Sequence, residues 1–432
     1  MKNIFSNFKS NILYEWRYTI LVTILSILVH VVFFGHPSSV VFDEVHIGKY
    51  IIWHLQHSYF FDVHPPLGRL IFAFFAYLIN YGDIVVDFGK IGNLLPNWII
   101  LLRIVPIIFG ILLSPIVYGI LRNLNINKKL AFLGGVLICL ENSTIVQSRF
   151  LLTDSFILFF GFLSLLLYLI YRNHINIKYS YLVFYLAVIC AISAFSIKWI
   201  GLSFLGMIVF FELINHYLDY GKIFSVKLFK CIIIIGLLFV SIYSAIFAIH
   251  LRVLPNTGNG DPYMSKEFQK NLIGSQYENY NSIIAKKDFL HKFLELNAEM
   301  ISANNRLVYK HDYSSLWYTW PMMSRPIYYW NSSDDLNIVN EIGKKSHIYF
   351  IGNPVLYWFG IISILILFII SLLNIRKIKE EYISIFILIG FISNFLPFIF
   401  IGRVMFLYHY APALVFSIMA LVLCIDKIKN LK

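Results

Sequence analysis

With 432 residues, 59% of them hydrophobic and 13% charged, this chain carries too much apolar surface to fold around one water-soluble core. Its mean hydropathy is +0.73. The formal net charge of +12 has a topological origin, because Lys and Arg gather beside the apolar runs, and nucleic acid is excluded as a partner.

Apolar runs near the roughly 20 residues needed to cross hydrocarbon recur from end to end, about ten in all. In chain order they cover approximately 18–34, 98–121, 130–147, 151–171, 180–197, 199–216, 229–250, 348–373, 382–401 and 404–425. Lys2, Lys9 and Arg17 precede the first run, and Arg122, Lys128 and Lys129 follow the second. Arg172 and Lys178 follow the fourth, Lys222, Lys227 and Lys230 the sixth, and Arg376, Lys377 and Lys379 the eighth; Lys427, Lys429 and Lys432 close the chain. The positive-inside rule assigns all of these, and both termini, to the cytoplasmic side. The expected organisation is a transmembrane region over 1–250 with a candidate catalytic loop at 35–97, an extracytoplasmic loop over 251–347, and a second transmembrane region over 348–432. The first run has no small-residue cleavage site after it and reads as a signal anchor. Cys139, Cys190, Cys231 and Cys424 all lie inside apolar runs, so no disulfide or zinc framework is expected.

The loop at 35–97 holds the densest polar chemistry, in VFDEVH (41–46) and FDVHPPLG (61–68). Asp43 and Glu44 would simply face water if they stood alone. Gly35, His36 and Pro37 break the first span just before them, however, and a carboxylate partly desolvated at the hydrocarbon boundary gains basicity and can take a proton from an alcohol. Residues 48–61 carry apolar side chains at helical spacing and predict an amphipathic helix in the interface; 67–78 is a second apolar segment, short for a span. His46, His54, His57 and His64 lack the HExxH spacing, and no metal is expected.

Cations form a second group. Arg103, Arg149, Lys198 and Arg403, with His409, fall at the far-side ends of spans, Arg149 beside Gln147 and Asp154. Each alone could snorkel to the headgroups. Together with a carboxylate at one edge they suit an anionic lipid phosphate, and His64 and Arg69 complete the candidate donor-binding set. A third, aromatic group spans 311–321 and 324–330, where Trp and Tyr either stack on sugar or anchor protein at headgroup level. His46, Trp317, Trp320 and Asn353 are the candidate acceptor or sugar contacts. The acids cluster in a far-side loop and do not repeat in inverted halves near the midplane, which argues against a transporter or flippase.

FDEVH, FDVHPPLG, QSRFLLTD (147–154), KWIGL (198–202), GNGDPYMSKEFQ (258–269), SSLWYTWP (314–321), SRPIYYW (324–330), IGNPVLYW (351–358) and RVMFLYHYAPAL (403–414) occur in the order seen in the protein O-mannosyltransferases, which this chain resembles over about 41–414. The resemblance implies glycosyltransferase family 39, an all-α GT-C membrane fold, and inverting transfer of mannose from a dolichyl or other polyprenyl phosphate to Ser or Thr hydroxyls of translocated proteins. It implies Asp43 as catalytic base, Glu44 as its acidic neighbour and Arg103 as the second-span arginine, while Arg149, Lys198, Arg403 and His409 match motif positions near the lipid-phosphate site. No cofactor is implied. The segment 251–347 is too short for the MIR domain of eukaryotic members, so the resemblance is to a shorter, bacterial-type form with one span fewer than larger members. The membrane would be a bacterial plasma membrane or the endoplasmic reticulum, a dimer is compatible, and related aminoarabinose transferases keep a lipid or glycan acceptor open.

Overall fold

The computed structural model describes residues 12–79, 84–174, 179–222, 225–279, 285–309, 311–332, 346–374 and 377–430. Lys2, Lys9, Lys178, Arg376 and Lys432 lie outside them. Lipid offers backbone groups no hydrogen-bond partners, so long apolar stretches fold as helices that satisfy themselves.

Helix α1 (Ile12–Val31) is followed by α2 (Glu44–Leu55) and α3 (Leu67–Ile79), then by α4 (Asn97–Leu102) and α5 (Ile104–Asn123). Next come α6 (Lys128–Cys139), α7 (Asn142–Ser148), α8 (Asp154–Asn173), α9 (Ser180–Phe195), α10 (Leu202–Tyr220) and α11 (Val226–Val253). The short α12 (Lys266–Gln269) and α13 (Phe289–Arg306) precede a hairpin of β1 (Ile327–Asn331) and β2 (His347–Phe350). Helices α14 (Pro354–Leu373), α15 (Tyr382–Phe395) and α16 (Ala411–Asn430) complete the chain.

Among the described residues, seven helical stretches are long and apolar enough to cross a membrane, and α6 with α7, bent by 56°, makes an eighth. The bend falls at Glu141, whose buried carboxylate accepts the Ser143 backbone N–H (3.0 Å) to start α7 and so terminates α6. The apolar stretch Trp16–Val31 and α9 are shorter and occupy the remaining expected positions, and α3 is the short segment foreseen at 67–78.

Two expectations need correction. The helix predicted over 48–61 covers Glu44–Leu55 instead, because His57 takes a left-handed φ of 55° and Tyr59 donates its N–H to Asn256 (2.8 Å), pinning 57–60 to the chain after α11. Ile47, Gly48, Ile51 and Ile52 are buried, so one face of α2 packs against the protein. The otherwise helical fold also carries the antiparallel β1–β2 pair, bulged between Tyr328 and Trp330, where the sequence suggested only loop.

Consecutive spans run in alternate directions. Asn173 at the end of α8 donates to the Asn123 carbonyl at the end of α5 (3.0 Å), and Lys427 near the end of α16 pairs with Glu381 just before α15 (2.8 Å). Arg103, Asp154, Lys198, Asn353 and His409 thereby share one end of the bundle, and Arg122, Arg172, Lys227 and Lys427 the other. Large rings such as Phe72, Phe156, Phe162, Phe204 and Phe416 fill the space between helices without exposure.

Candidate active site

Glu44 is wholly buried and fully used. Its Oε1 accepts from Arg103 Nε (2.9 Å) and the Leu151 N–H (2.9 Å); its Oε2 accepts from Arg103 Nη2 (2.6 Å) and the Val41 N–H (2.9 Å). Arg103, 1% exposed, also donates to the Pro37 carbonyl (2.5 Å) and the Ser39 carbonyl (2.8 Å). Four of the five guanidinium N–H donors and all four carboxylate lone-pair sites of this bidentate pair are thus engaged by protein atoms. Through these bonds Glu44 and Arg103 clamp the acidic loop to the α4–α5 junction and to Leu151.

Asp43 differs at every point. It occupies the N-cap position of α2 but with φ −67° and ψ 0°, and its side chain makes no capping hydrogen bond. Capping needs an extended N-cap residue, so this helical geometry turns the carboxylate away from the amides it would otherwise satisfy. The preceding Phe42 is held at a left-handed φ of 44°, a conformation costing about 1–3 kcal/mol that its surroundings must impose. They do so by stacking: Phe42 lies on Tyr329 at 4.2 Å and 9°, and donates its N–H to the Tyr329 carbonyl (3.1 Å). Burial holds the Asp43 carboxyl above the usual carboxylate range, against the pull of His46, Lys198 and His311 and with the push of Asp154.

Lys198 is oriented by a polar chain. It pairs with Asp154 Oδ1 (2.7 Å); Gln147 Nε2 donates to Asp154 Oδ2 (2.8 Å); Tyr329 donates its hydroxyl to Gln147 Oε1 (2.5 Å). Lys198 also lies 5.3 Å over the Tyr408 ring, and Tyr408 stacks on His409 at 4.5 Å. One network thus ties the ends of α7, α8, α9 and α16 to the residue next to Asp43.

Two cavities meet here. One of 380 Å³ is lined by His64, Lys198, Arg403 and His409 together with an apolar wall that includes Trp199, Ile200, Phe398 and Ile401. The other, of 720 Å³, is polar, with His311, Asp312, Ser314, Thr319, Ser324 and Arg325. Arg403 and Met405 line both. Arg403 Nη1 donates to the side-chain oxygen of Asn304 on α13, whose amide nitrogen donates to the Val63 carbonyl (2.8 Å). Burial, with Arg69, Lys198, Arg403 and His409 beside it, pushes the His64 imidazole well below its usual value, so it enters the cavity neutral, as a hydrogen-bonding group.

The other sequence candidates stand outside both cavities. Arg149 donates through Nη2 to the Val29 carbonyl (2.9 Å) and to that of Val32 (2.5 Å), holding the end of α1. Arg69 forms a buried pair with Asp62 (2.5 Å), and Asp62 in turn accepts the His64 N–H (3.2 Å), so Arg69 shapes the turn that presents His64. Trp320, wholly buried, stacks parallel to His409 at 5.9 Å; Trp317 packs edge-on against Phe395 at 5.1 Å. Asn353 caps α14 through the Val355 N–H (3.0 Å) and gives its own N–H to Glu141. His46 is exposed on the first turn of α2 beside Asp43. Gln147, Asp154, Tyr329 and Tyr408 have no role in the sequence reading, although QSRFLLTD, SRPIYYW and RVMFLYHYAPAL contain them; Asn304 lies in none of these motifs. Among the described residues no cluster of three or more His, Cys, Asp or Glu is placed to hold a metal.

The fold is that of the GT-C membrane proteins: a solved Archaeoglobus fulgidus oligosaccharyltransferase superimposes at TM-score 0.51 and 14% identity, over 98% of this chain and 50% of that one. The family profile described as dolichyl-phosphate-mannose-protein mannosyltransferase matches residues 20–255, and the C-terminal four-helix region of protein-O-mannosyltransferase matches 289–432. The chain belongs to the protein O-mannosyltransferase family. It is 31% identical to protein O-mannosyltransferase 1 of Drosophila melanogaster, over 55% of this chain and 28% of that one. With dolichyl-phosphate-mannose–protein mannosyltransferase 4 of Saccharomyces cerevisiae the identity is 30%, over 65% of this chain and 40% of the relative. The chain spans less than half the length of these curated relatives. The S. cerevisiae Pmt1-Pmt2 complex bound to the sugar donor superimposes at TM-score 0.86 with 18% identity, covering 98% of this chain and 87% of that one, which fixes the fold.

Proposed function

We propose that this chain transfers mannose, with inversion, from a polyprenyl or dolichyl phosphate to a Ser or Thr hydroxyl of a translocated protein. The observation that carries the reading is the uncapped Asp43 carboxylate, raised in basicity, whose neighbours Lys198 and His311 line the partly apolar and the polar cavity respectively. The acceptor hydroxyl gives its proton to Asp43 while its oxygen attacks the anomeric carbon. The glycosidic carbon–oxygen bond breaks, its electron pair leaves on the phosphate, and Lys198 and Arg403 meet that charge, with neutral His64 hydrogen-bonding beside them. The apolar wall of the 380 Å³ cavity receives the start of the polyprenyl chain, and the polar cavity receives the peptide. Written this way the reaction calls on no cofactor. The Asp43 end of the bundle faces the lumen or the outside of the cell, because Arg122, Lys128, Arg172, Lys227 and Lys427 collect at the other end. Pairing with a second chain is the assembly reading, supported by the Pmt1-Pmt2 complex.

The test is a transfer assay with the purified full chain, a defined polyprenyl-phosphate mannose and a Ser/Thr peptide. Mannosylated peptide with inverted linkage is expected. Transfer to a lipid or glycan acceptor with none to the peptide would replace this reading with an aminoarabinose-transferase-like one.

A further inference from the structure

At the end of the bundle opposite Asp43, a cavity of 150 Å³ opens between α8, α9, α10 and α11. Its wall includes Arg172, and the 18 residues from Asp154 place that about 27 Å along α8, at about 1.5 Å per residue. This is close to one hydrocarbon thickness away from the reaction. We propose that it binds the headgroup of a zwitterionic phospholipid, one carrying both a phosphate and an ammonium.

The wall has two electrical halves. On the inner side Arg172 pairs with Asp219 (2.9 Å) and lies 3.8 Å from Glu212, so one cation faces two carboxylates. Glu212 is fixed by the Tyr168 hydroxyl (3.0 Å), which itself accepts from Asn215 (3.0 Å), and Asn215 also donates to Tyr382 (3.1 Å). Tyr181, Tyr185 and Tyr220 line the cavity beside these acids. Carboxylates among aromatic faces hold an ammonium. On the outer side Lys227 and Lys230 stand in the first turns of α11, exposed, where the helix end also favours an anion. His216 points independently to a ligand: it lines the cavity, is 9% exposed, and its Nε2 has no hydrogen-bond partner. An anionic headgroup would leave the acidic half unanswered; a zwitterion answers both.

The experiment uses the purified full chain in detergent, with lipid retention followed by native mass spectrometry and thermal unfolding. Phosphatidylethanolamine should be retained in preference to phosphatidylglycerol, and inorganic phosphate alone should not reproduce the stabilisation. The double variant Lys227→Ala/Lys230→Ala and, separately, Asp219→Asn should each weaken retention about tenfold, the loss of one charge-assisted contact, while Lys227→Arg/Lys230→Arg keeps it. The lysines are exposed, so their replacement does not threaten folding. Equal retention of phosphatidylglycerol, retention unchanged in the variants, or full stabilisation by phosphate alone would each overturn the proposal.

Discussion

Asp43 and Glu44 are adjacent in sequence and opposite in circumstance. Glu44 is enclosed by four hydrogen bonds, two of them from Arg103, whereas Asp43 sits at a helix start whose geometry denies it a capping bond. The comparison separates two uses of a carboxylate at a membrane boundary. A fully paired acid fixes architecture, and an unpaired one keeps its lone pairs for a proton. The cations divide by location: Arg103 and Arg149 donate to backbone carbonyls away from the cavities, while Lys198 and Arg403 line one.

The largest expected effect lies on the structural side. Glu44→Gln leaves Arg103 buried without a counter-charge, which should cost about 3–5 kcal/mol of stability. It would be read as a lower unfolding midpoint, with turnover per folded molecule largely kept. A variant of unchanged midpoint and collapsed turnover would erase the distinction between the two acids. Lys198→Gln and Arg403→Gln should each lose about 1.5–3 kcal/mol in kcat/KM for the donor, the range for hydrogen bonds to charged groups, whereas Arg149→Gln should leave donor affinity as it is. A donor defect in Arg149→Gln equal to that of Arg403→Gln would place the phosphate elsewhere. The smallest effect sharpens the picture: Asn304→Ala frees Arg403 without removing it, and should raise the donor KM by about fivefold, near 1 kcal/mol, with the unfolding midpoint unchanged. No change in KM would make Asn304 a bystander.

The spans and the shared end of the motifs were legible in the sequence because hydropathy and cation placement act over whole segments. Pairing was not. Nothing in FDEVH distinguishes the acid that meets Arg103 from the one that does not; that depends on the φ of Phe42 and on where β1 brings Tyr329, a contact between residues 287 positions apart in sequence. For the same reason Arg103 looked like a phosphate cation until its acceptors at 37, 39 and 44 were in place. Asn304 lies on an amphipathic helix with no motif around it, and only its contact with Arg403 marks it.

The most direct measurement is the pH dependence of mannose transfer by the wild type and by Asp43→Asn, with folding verified for both. The base works deprotonated, so wild-type kcat/KM should fall as pH drops through the Asp43 pKa, on a limb lying above the ordinary carboxylate value of about 4 because burial raises it. Asp43→Asn should lose at least about a hundredfold in turnover, keep its unfolding midpoint, and show no such limb. Near-normal turnover in Asp43→Asn, or a low-pH limb that survives the substitution, would contradict the account.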